Sequence, residues 1–225
     1  YNFLLEINND YKSKLPLLYF EVYKKYQKYK YDIKGNEKIH IVTIENIDKN
    51  KYISNINQIK DYIKNGITYE VNYTYPSTVY TSSFTDFELF KFLQKKQKTE
   101  YNAFIKNEYE TILSFSPELF FKIENNKITT KPMKGTIKRG KTKEEDLKNI
   151  NFLKKDEKNK AENVMIVDLL RNDLSKISKI GTVKVNKLFE VETHPTVHQM
   201  TSTISAIIDE KVDLYNIFKA IFPCG

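Results

Sequence analysis

Three segments of this 225-residue chain carry side chains that could act as reagents. In SPELFFKIENNKITTKPMKGT, residues 116–136, Glu118 follows a proline at the edge of an apolar run, and Lys134 sits between a methionine and a glycine. Asn125-Asn126 marks a turn that would fold this stretch into a hairpin, and two strands joined by a short turn can bring Glu118 and Lys134 into one site. A carboxyl group and an amine placed there can serve as acid and nucleophile. The amine role is costly. An ordinary lysine is neutral in roughly one molecule in 2,500 at pH 7, and bringing such a group near neutrality takes about 4–5 kcal/mol, which desolvation and nearby cations can supply. The Met-Lys-Gly context is compatible with burial, and Gly135 lets a substrate approach the backbone. Spacing alone favours a simpler alternative, a strand-edge Glu and a solvated Lys.

The second segment is AENVMIVDLLRNDL, residues 161–174. On a helix, Glu162, Ile166, Leu169 and Asp173 fall on or near one face. A carboxylate sharing a stripe with aliphatic neighbours is expensive unless paired or bound to a cation. Glu162 is therefore a candidate Mg²⁺ ligand, because that hard ion takes carboxylate oxygen and keeps several waters. The pattern alone still favours a structural role. Asp168 and Arg171, three apart, read as a structural ion pair. The third segment is VETHPTVHQMTST, residues 191–203. Pro195 makes a helix across His194 and His198 unfavourable, so they are not a helical metal pair. His198 opens an alternating strand and could face a site, whereas His40 reads as a core histidine.

The elements that must position these residues come in blocks. Residues 39–45 read as a strand, 51–65 as a helix ending near Gly66, and YEVNYTYP, residues 69–76, as a strand. Thr85–Glu88 and Thr142–Glu145 are capping boxes that open helices. YNAFIK, TILSFS, LFFKIE and KITTK read as strands, and residues 157–174 as a longer helix. Residues 182–192 and 197–208 read as two more strands, and Asp213 caps a last helix through Phe222. Blocks rather than strict alternation predict an α+β fold with mostly antiparallel sheet, without a clear domain boundary.

Composition narrows the function classes. Aromatic residues make up 13%, which suits a packed interior. No apolar run approaches a membrane span, and no secretory signal stands at the start. A single cysteine, Cys224, excludes an internal disulfide and suits a cytosolic setting. The net charge of +8 invites a nucleic-acid reading, but the cations are nearly all scattered lysines. The two arginines, Arg139 and Arg171, leave little of the fork chemistry that phosphate and base recognition uses. No Gly-rich phosphate loop, zinc cluster or serine triad is present.

Taken in order, YEVNYT, SPELFF, KPMKGT, AENVMIVDLLRNDL, VETHPTVHQMTSTI and IFPCG resemble the chorismate-utilising enzymes, over about residues 50–225. The resemblance is nearest to aminodeoxychorismate synthase component I, which carries a lysine at the position of Lys134 where anthranilate and salicylate synthases carry alanine. It implies a fold of two mostly antiparallel sheets with surrounding helices, forming one chorismate-binding domain. It further implies that Lys134 attacks C2 of chorismate and that Glu118 protonates the departing C4 hydroxyl. Gly135, Thr136, His198 and Asn72 would contact the substrate. Glu162 would be one ligand of Mg²⁺. The partner would be a glutamine amidotransferase subunit that delivers ammonia. Glu70 stands where the water-adding relatives place a lysine, which argues against isochorismate and salicylate synthesis. The family pattern runs on beyond IFPCG and before the start of this chain. The resemblance therefore implies a truncated sequence, inactive alone, with half a metal site. Anthranilate synthase component I is the alternative within the family, and a non-catalytic fragment or basic binding protein is the alternative outside it.

Overall fold

A computed structural model describes residues 22–28, 41–69, 71–81 and 84–222. The chain divides into two compact units, residues 1–95 and 96–225.

In the first unit, β1 (Ile41–Glu45) pairs antiparallel with β2 (Thr78–Thr81), with Ile44 opposite Val79. Between them runs α1 (Lys49–Lys64), started by the Asp48 carboxylate, which accepts from the N–H groups of Asn50 and Lys51. Residues 71–77 form no strand, contrary to the reading of YEVNYTYP. Tyr73 and Tyr75 are two apart and so share a side, but that side meets Tyr52 of α1 instead of a sheet, with ring centroids 5.6 and 5.8 Å away. The Tyr73 hydroxyl accepts from Asn55 at 2.6 Å. Pro76 has no N–H to give a ladder, so pairing begins only beyond it. α2 (Asp86–Lys96) starts at the expected capping box: Thr85 N–H donates to Glu88, and Glu88 N–H donates to Thr85 Oγ1.

The second unit holds the core. β3 (Tyr101–Lys106) and β4 (Thr111–Ser116) form an antiparallel ribbon. β5 (Leu119–Glu124) turns at Asn125-Asn126, both at positive φ, into β6 (Lys127–Lys131). After Pro132 the chain resumes as β7 (Met133–Lys138). Helices α3 (Lys143–Lys155) and α4 (Glu157–Ser175) follow, with Asp156 ending the first and capping the second. Then come β8 (Lys184–Thr193), β9 (Val197–Ile207) and α5 (Leu214–Ile221).

β9 organises the main sheet. Its C-terminal half pairs with β6 and its N-terminal half with β7, while β8 runs along it from Lys184 to Thr193, all antiparallel. Alternate residues of β9, namely His198, Met200, Ser202, Ile204 and Ala206, are buried. Ile204, Ala206 and Ile128 join Ile166, Val167, Leu170 and Leu174 of α4 and Ile217 and Ile221 of α5 in one apolar core. Each of the Ile, Val and Leu side chains contributes about 1.5–3 kcal/mol by leaving water. The buried stripe of α4 is therefore Asn163, Ile166, Val167, Leu170, Asp173 and Leu174. Leu169, expected on that face, is 37% exposed. Among the described residues no helix is long and apolar enough to cross a membrane.

Candidate active site

The site begins with a break in a strand. β6 and β7 form one run along β9, interrupted at Pro132, whose carbonyl accepts from Ser202 N–H at 3.1 Å. On the β6 side Thr130 faces Ile204, and Met133 still faces Thr201 in the same register. By Thr136, opposite Gln199, the register has moved by one residue. The extra residue falls at Lys134-Gly135, a β-bulge. Gly135 has φ +95°, a conformation that side-chain-bearing residues rarely take. A Cβ on Gly135 would also lie 2.9–3.0 Å from the Asn159 side chain, so α4 closes directly over the bulge. Bulges re-aim the side chains beside them, and here the side chain is that of Lys134, which is half-buried.

The hairpin does bring Glu118 to this place. Leu119 of β5 faces Lys131 of β6, so the residue before β5 reaches the start of β7. Ser116 Oγ fixes the turn by accepting from Glu118 N–H at 3.2 Å and donating to Glu118 O at 3.1 Å. The Glu118 carboxylate then accepts from Met133 N–H at 3.2 Å, one residue from Lys134.

Two lysines of the KPMK run are placed differently. Lys131 Nζ lies 2.6 Å from the Glu192 carboxylate, with both side chains less than a quarter exposed. Burial weakens the charge on Lys131, but the hydrogen bond and charge of Glu192 outweigh that and raise its pKa. Lys131 is thereby held as an ammonium ion, a poor nucleophile. Lys134 sits at the bulge, next to the backbone that Glu118 holds.

Beyond the bulge lies a network that the sequence reading missed. Asp146 of α3 receives Arg139 through Nε at 2.9 Å and Nη2 at 2.6 Å, Gly140 N–H at 2.6 Å and His198 Nε2 at 2.9 Å. Arg139 also donates to His194 O at 2.9 Å. His198 is fully buried, and its Nδ1 lies 2.9 Å from Thr193 Oγ1. Both ring nitrogens of His198 are thus spent on protein partners. Nearby, Ser202 Oγ donates to Asn163 at 2.5 Å and accepts from Phe189 N–H at 3.2 Å. Phe189 has φ +57°, a strained position where β8 too shifts register against β9.

The remaining candidates are dispersed. Thr136 is exposed on β7, in line with the bulge. Glu162 is half-exposed on α4, one turn from Asn159, with Lys158 Nζ at 3.8 Å. It offers one loosely paired carboxylate. Among the described residues no three His, Cys, Asp or Glu side chains are grouped to hold a metal ion. The Asp168–Arg171 pair forms as expected, at 2.8 Å. Asn72 is exposed on the extended segment of the first unit. Glu70 and His40 lie outside the described residues.

The chorismate binding enzyme family matches residues 9–225, nearly the whole chain. The chain belongs to the chorismate-binding enzymes. It is 37% identical over 180 residues to aminodeoxychorismate synthase component 1 of Escherichia coli, covering 80% of this chain and 40% of that protein. It is 40% identical to a probable chloroplastic aminodeoxychorismate synthase of Oryza sativa, over 79% of this chain and 20% of that one. It is 34% identical to anthranilate synthase component 1 of Saccharolobus solfataricus, over 80% of this chain and 43% of that one. Among solved structures, anthranilate synthase component I from Streptococcus pneumoniae superposes with a TM-score of 0.63 at 25% identity, over 81% of this chain and 39% of that one. A putative 2,3-dihydroxybenzoate-specific isochorismate synthase from Bacillus anthracis reaches 0.69 at 16% identity, over 85% and 52%, a likeness of fold alone. The chain thus spans about 40% of the Escherichia coli relative's length. The α+β arrangement of antiparallel sheets and helices is that of the chorismate-binding enzymes.

Arg139 and Asp146 were legible only in part. A rare arginine beside a glycine is a signal, but Asp146 in the first turn of a helix reads as a charge placed for the helix dipole.

Proposed function

We propose that this chain is part of an aminodeoxychorismate synthase component I, which converts chorismate and ammonia to 4-amino-4-deoxychorismate. The observation that carries the reading is Lys134 at a glycine-dependent bulge, one residue from the N–H held by Glu118. In this reading Lys134 Nζ bonds to C2 of chorismate while the ring double bond shifts and the C4–O bond breaks. Glu118 gives its proton to the departing hydroxyl, which leaves as water. Ammonia then bonds to C4, the electrons shift back, and the C2–Nζ bond breaks to return the lysine. Gly135 and Thr136 border the substrate. His198, with both nitrogens engaged, acts on it through the strands it fixes. Asn72 is proposed as a further substrate contact on the family resemblance alone.

Glu162 would supply one oxygen ligand to Mg²⁺, which suits a hard cation and leaves other positions to water and further ligands. Bound there, the ion would neutralise a substrate carboxylate. Ammonia would come from a glutamine amidotransferase partner. Relatives named anthranilate synthase component 1 reach 34% identity, so anthranilate is the competing product.

The test is product analysis on the full-length protein with chorismate, Mg²⁺ and ammonia, for wild type and Lys134→Ala. Wild type should give 4-amino-4-deoxychorismate, a substrate adduct should map to Lys134 by mass spectrometry, and Lys134→Ala should lose both. An aromatic product from wild type without an added lyase, or unchanged amination by Lys134→Ala, would overturn the reading.

A further inference from the structure

A bulge is one slip away from disappearing. If β7 slid by one residue against β9, Thr136 would pair with His198 in the register that Met133 already keeps with Thr201, and the extra residue would be absorbed. Such a slip sends each side chain beyond it to the opposite face of the sheet. Something must fix β7 after the bulge as well as before it.

Only three paired residues, Thr136, Ile137 and Lys138, follow the bulge. Next come Arg139 and Gly140, and both are bound to Asp146. Arg139 N–H also donates to Thr196 O at 3.2 Å, and its Nη1 to His194 O, which ties it to the turn that feeds β9. Gly140 is pressed onto α3: a Cβ there would lie 2.2 Å from the backbone nitrogen of Asp146. On β9 the residue opposite Ile137 is His198, whose Nε2 meets the same Asp146 oxygen as Gly140 N–H. A carboxylate has about four acceptor positions, and Arg139, Gly140 and His198 use them. One side chain of α3 therefore holds the end of β7 and the partner residue on β9 together.

We propose that Asp146 is a positioning residue that locks the register of β7 against β9 and so keeps the Lys134–Gly135 bulge in place. A slip would carry Arg139 and Gly140 away from a carboxylate that His198 keeps fixed relative to β9. The role in catalysis rests on the proposed reaction at Lys134, whereas the register lock itself does not.

The experiment uses Asp146→Asn in the full-length protein, well below its melting temperature. Asn keeps the size but has one acceptor oxygen where the carboxylate has two. kcat should fall by about 10- to 100-fold, the scale of a small misplacement of reacting groups. KM for chorismate should rise several-fold, because Gly135 and Thr136 move with the bulge. A loss of folded protein alone would lower kcat and leave KM unchanged. Independently, cross-strand NMR contacts should move from Thr136–Gln199 towards Thr136–His198, and the amides of residues 136–138 should exchange faster. Unchanged KM together with unchanged Thr136–Gln199 contacts would overturn the proposal. Should Asp146→Asn not fold, Arg139→Lys, which keeps the charge but loses the fork, decides by the same measurements. If wild type makes anthranilate, the proposed function fails while the register result still stands or falls by the NMR contacts.

Discussion

The two ends of β7 are held in opposite ways. At its start, Met133 N–H meets one exposed carboxylate, Glu118, at 3.2 Å. At its end, Arg139, Gly140 and His198 converge on Asp146, with His198 fully buried and Asp146 17% exposed. The residues proposed to react, Lys134 and Glu118, lie at the loose end and the saturated polar groups at the tight one. A proton donor has to exchange with its surroundings, so it cannot be spent on structure. A register lock has to be spent completely, because a buried polar group left unpaired costs more than it gives. On the proposed reaction, the difference separates residues that react from residues that aim them.

The contrast breaks most visibly at the loose end. Lys134→Ala in the full-length protein should lower amination by about 10⁴-fold or more, the scale on which loss of a covalent nucleophile is felt. Its melting temperature should stay close to wild type. A large fall in melting temperature would show that Lys134 belongs with the structural residues after all. Glu118→Gln is the finer probe. Glutamine still accepts from Met133 N–H, so the start of β7 should hold, while the acid is lost and turnover drops by about 10²–10⁴-fold. Steady-state rates alongside thermal unfolding separate the two roles. Wild-type turnover in Glu118→Gln would reduce Glu118 to a hydrogen-bond acceptor.

Gly135→Ala tests the bulge itself. The positive φ and the contact with Asn159 should destabilise the protein by about 1–3 kcal/mol. For a chain of this size that lowers the melting temperature by roughly 2–4 °C per kcal/mol. Denaturant titration would show it, and an unaltered midpoint would mean that the bulge relaxes freely.

At the tight end the informative variable is pH. Arg139 first, then Gly140 N–H and more weakly His198, hold the Asp146 carboxyl well below the ordinary carboxylate range, against a smaller opposing effect of burial. The sign follows from linkage. A carboxyl with a lower pKa in the folded state stabilises the fold fully above its unfolded value of about 3.9, and that contribution is lost as pH falls through the folded value. Unfolding free energy should therefore decline from about pH 4 downward, and Asp146→Asn should make that decline shallower. Parallel pH profiles for the two proteins would remove Asp146 from the account.

Much of this was readable in advance, for identifiable reasons. Local chemistry marked the element ends: Thr85, Thr142 and Asp213 cap or open the helices near where they were expected. The Asn125-Asn126 turn set the hairpin that carries Glu118 to Met133. What failed was non-local. The alternation of Tyr73 and Tyr75 was real, but a helix satisfied it instead of a strand. His198 had the right type to meet a ligand, yet only the fold shows that Asp146, 52 residues earlier, takes its Nε2. The bulge at Gly135 is likewise a property of two strands and shows in neither alone.

The smallest expected effect sharpens the comparison furthest, because it holds chemistry constant. The chain has two arginines, and each pairs with an aspartate. Arg171 meets Asp168 at 2.8 Å, three residues away on the outer face of α4, with both side chains more than half exposed. Water and salt screen such a pair, and the helix forms without it, so Arg171→Ala should cost under about 0.5 kcal/mol. The measurement is a denaturant midpoint at low and at moderate salt, and the small difference should shrink as salt is added. Arg139 makes a similar contact with Asp146 but also reaches His194 O, across 55 residues of sequence. If burial and convergence decide what an ion pair is worth, the two arginines must differ clearly. A loss above about 1 kcal/mol for Arg171→Ala would mean that exposure does not sort these residues, and the distinction between the ends of β7 would lose its physical basis.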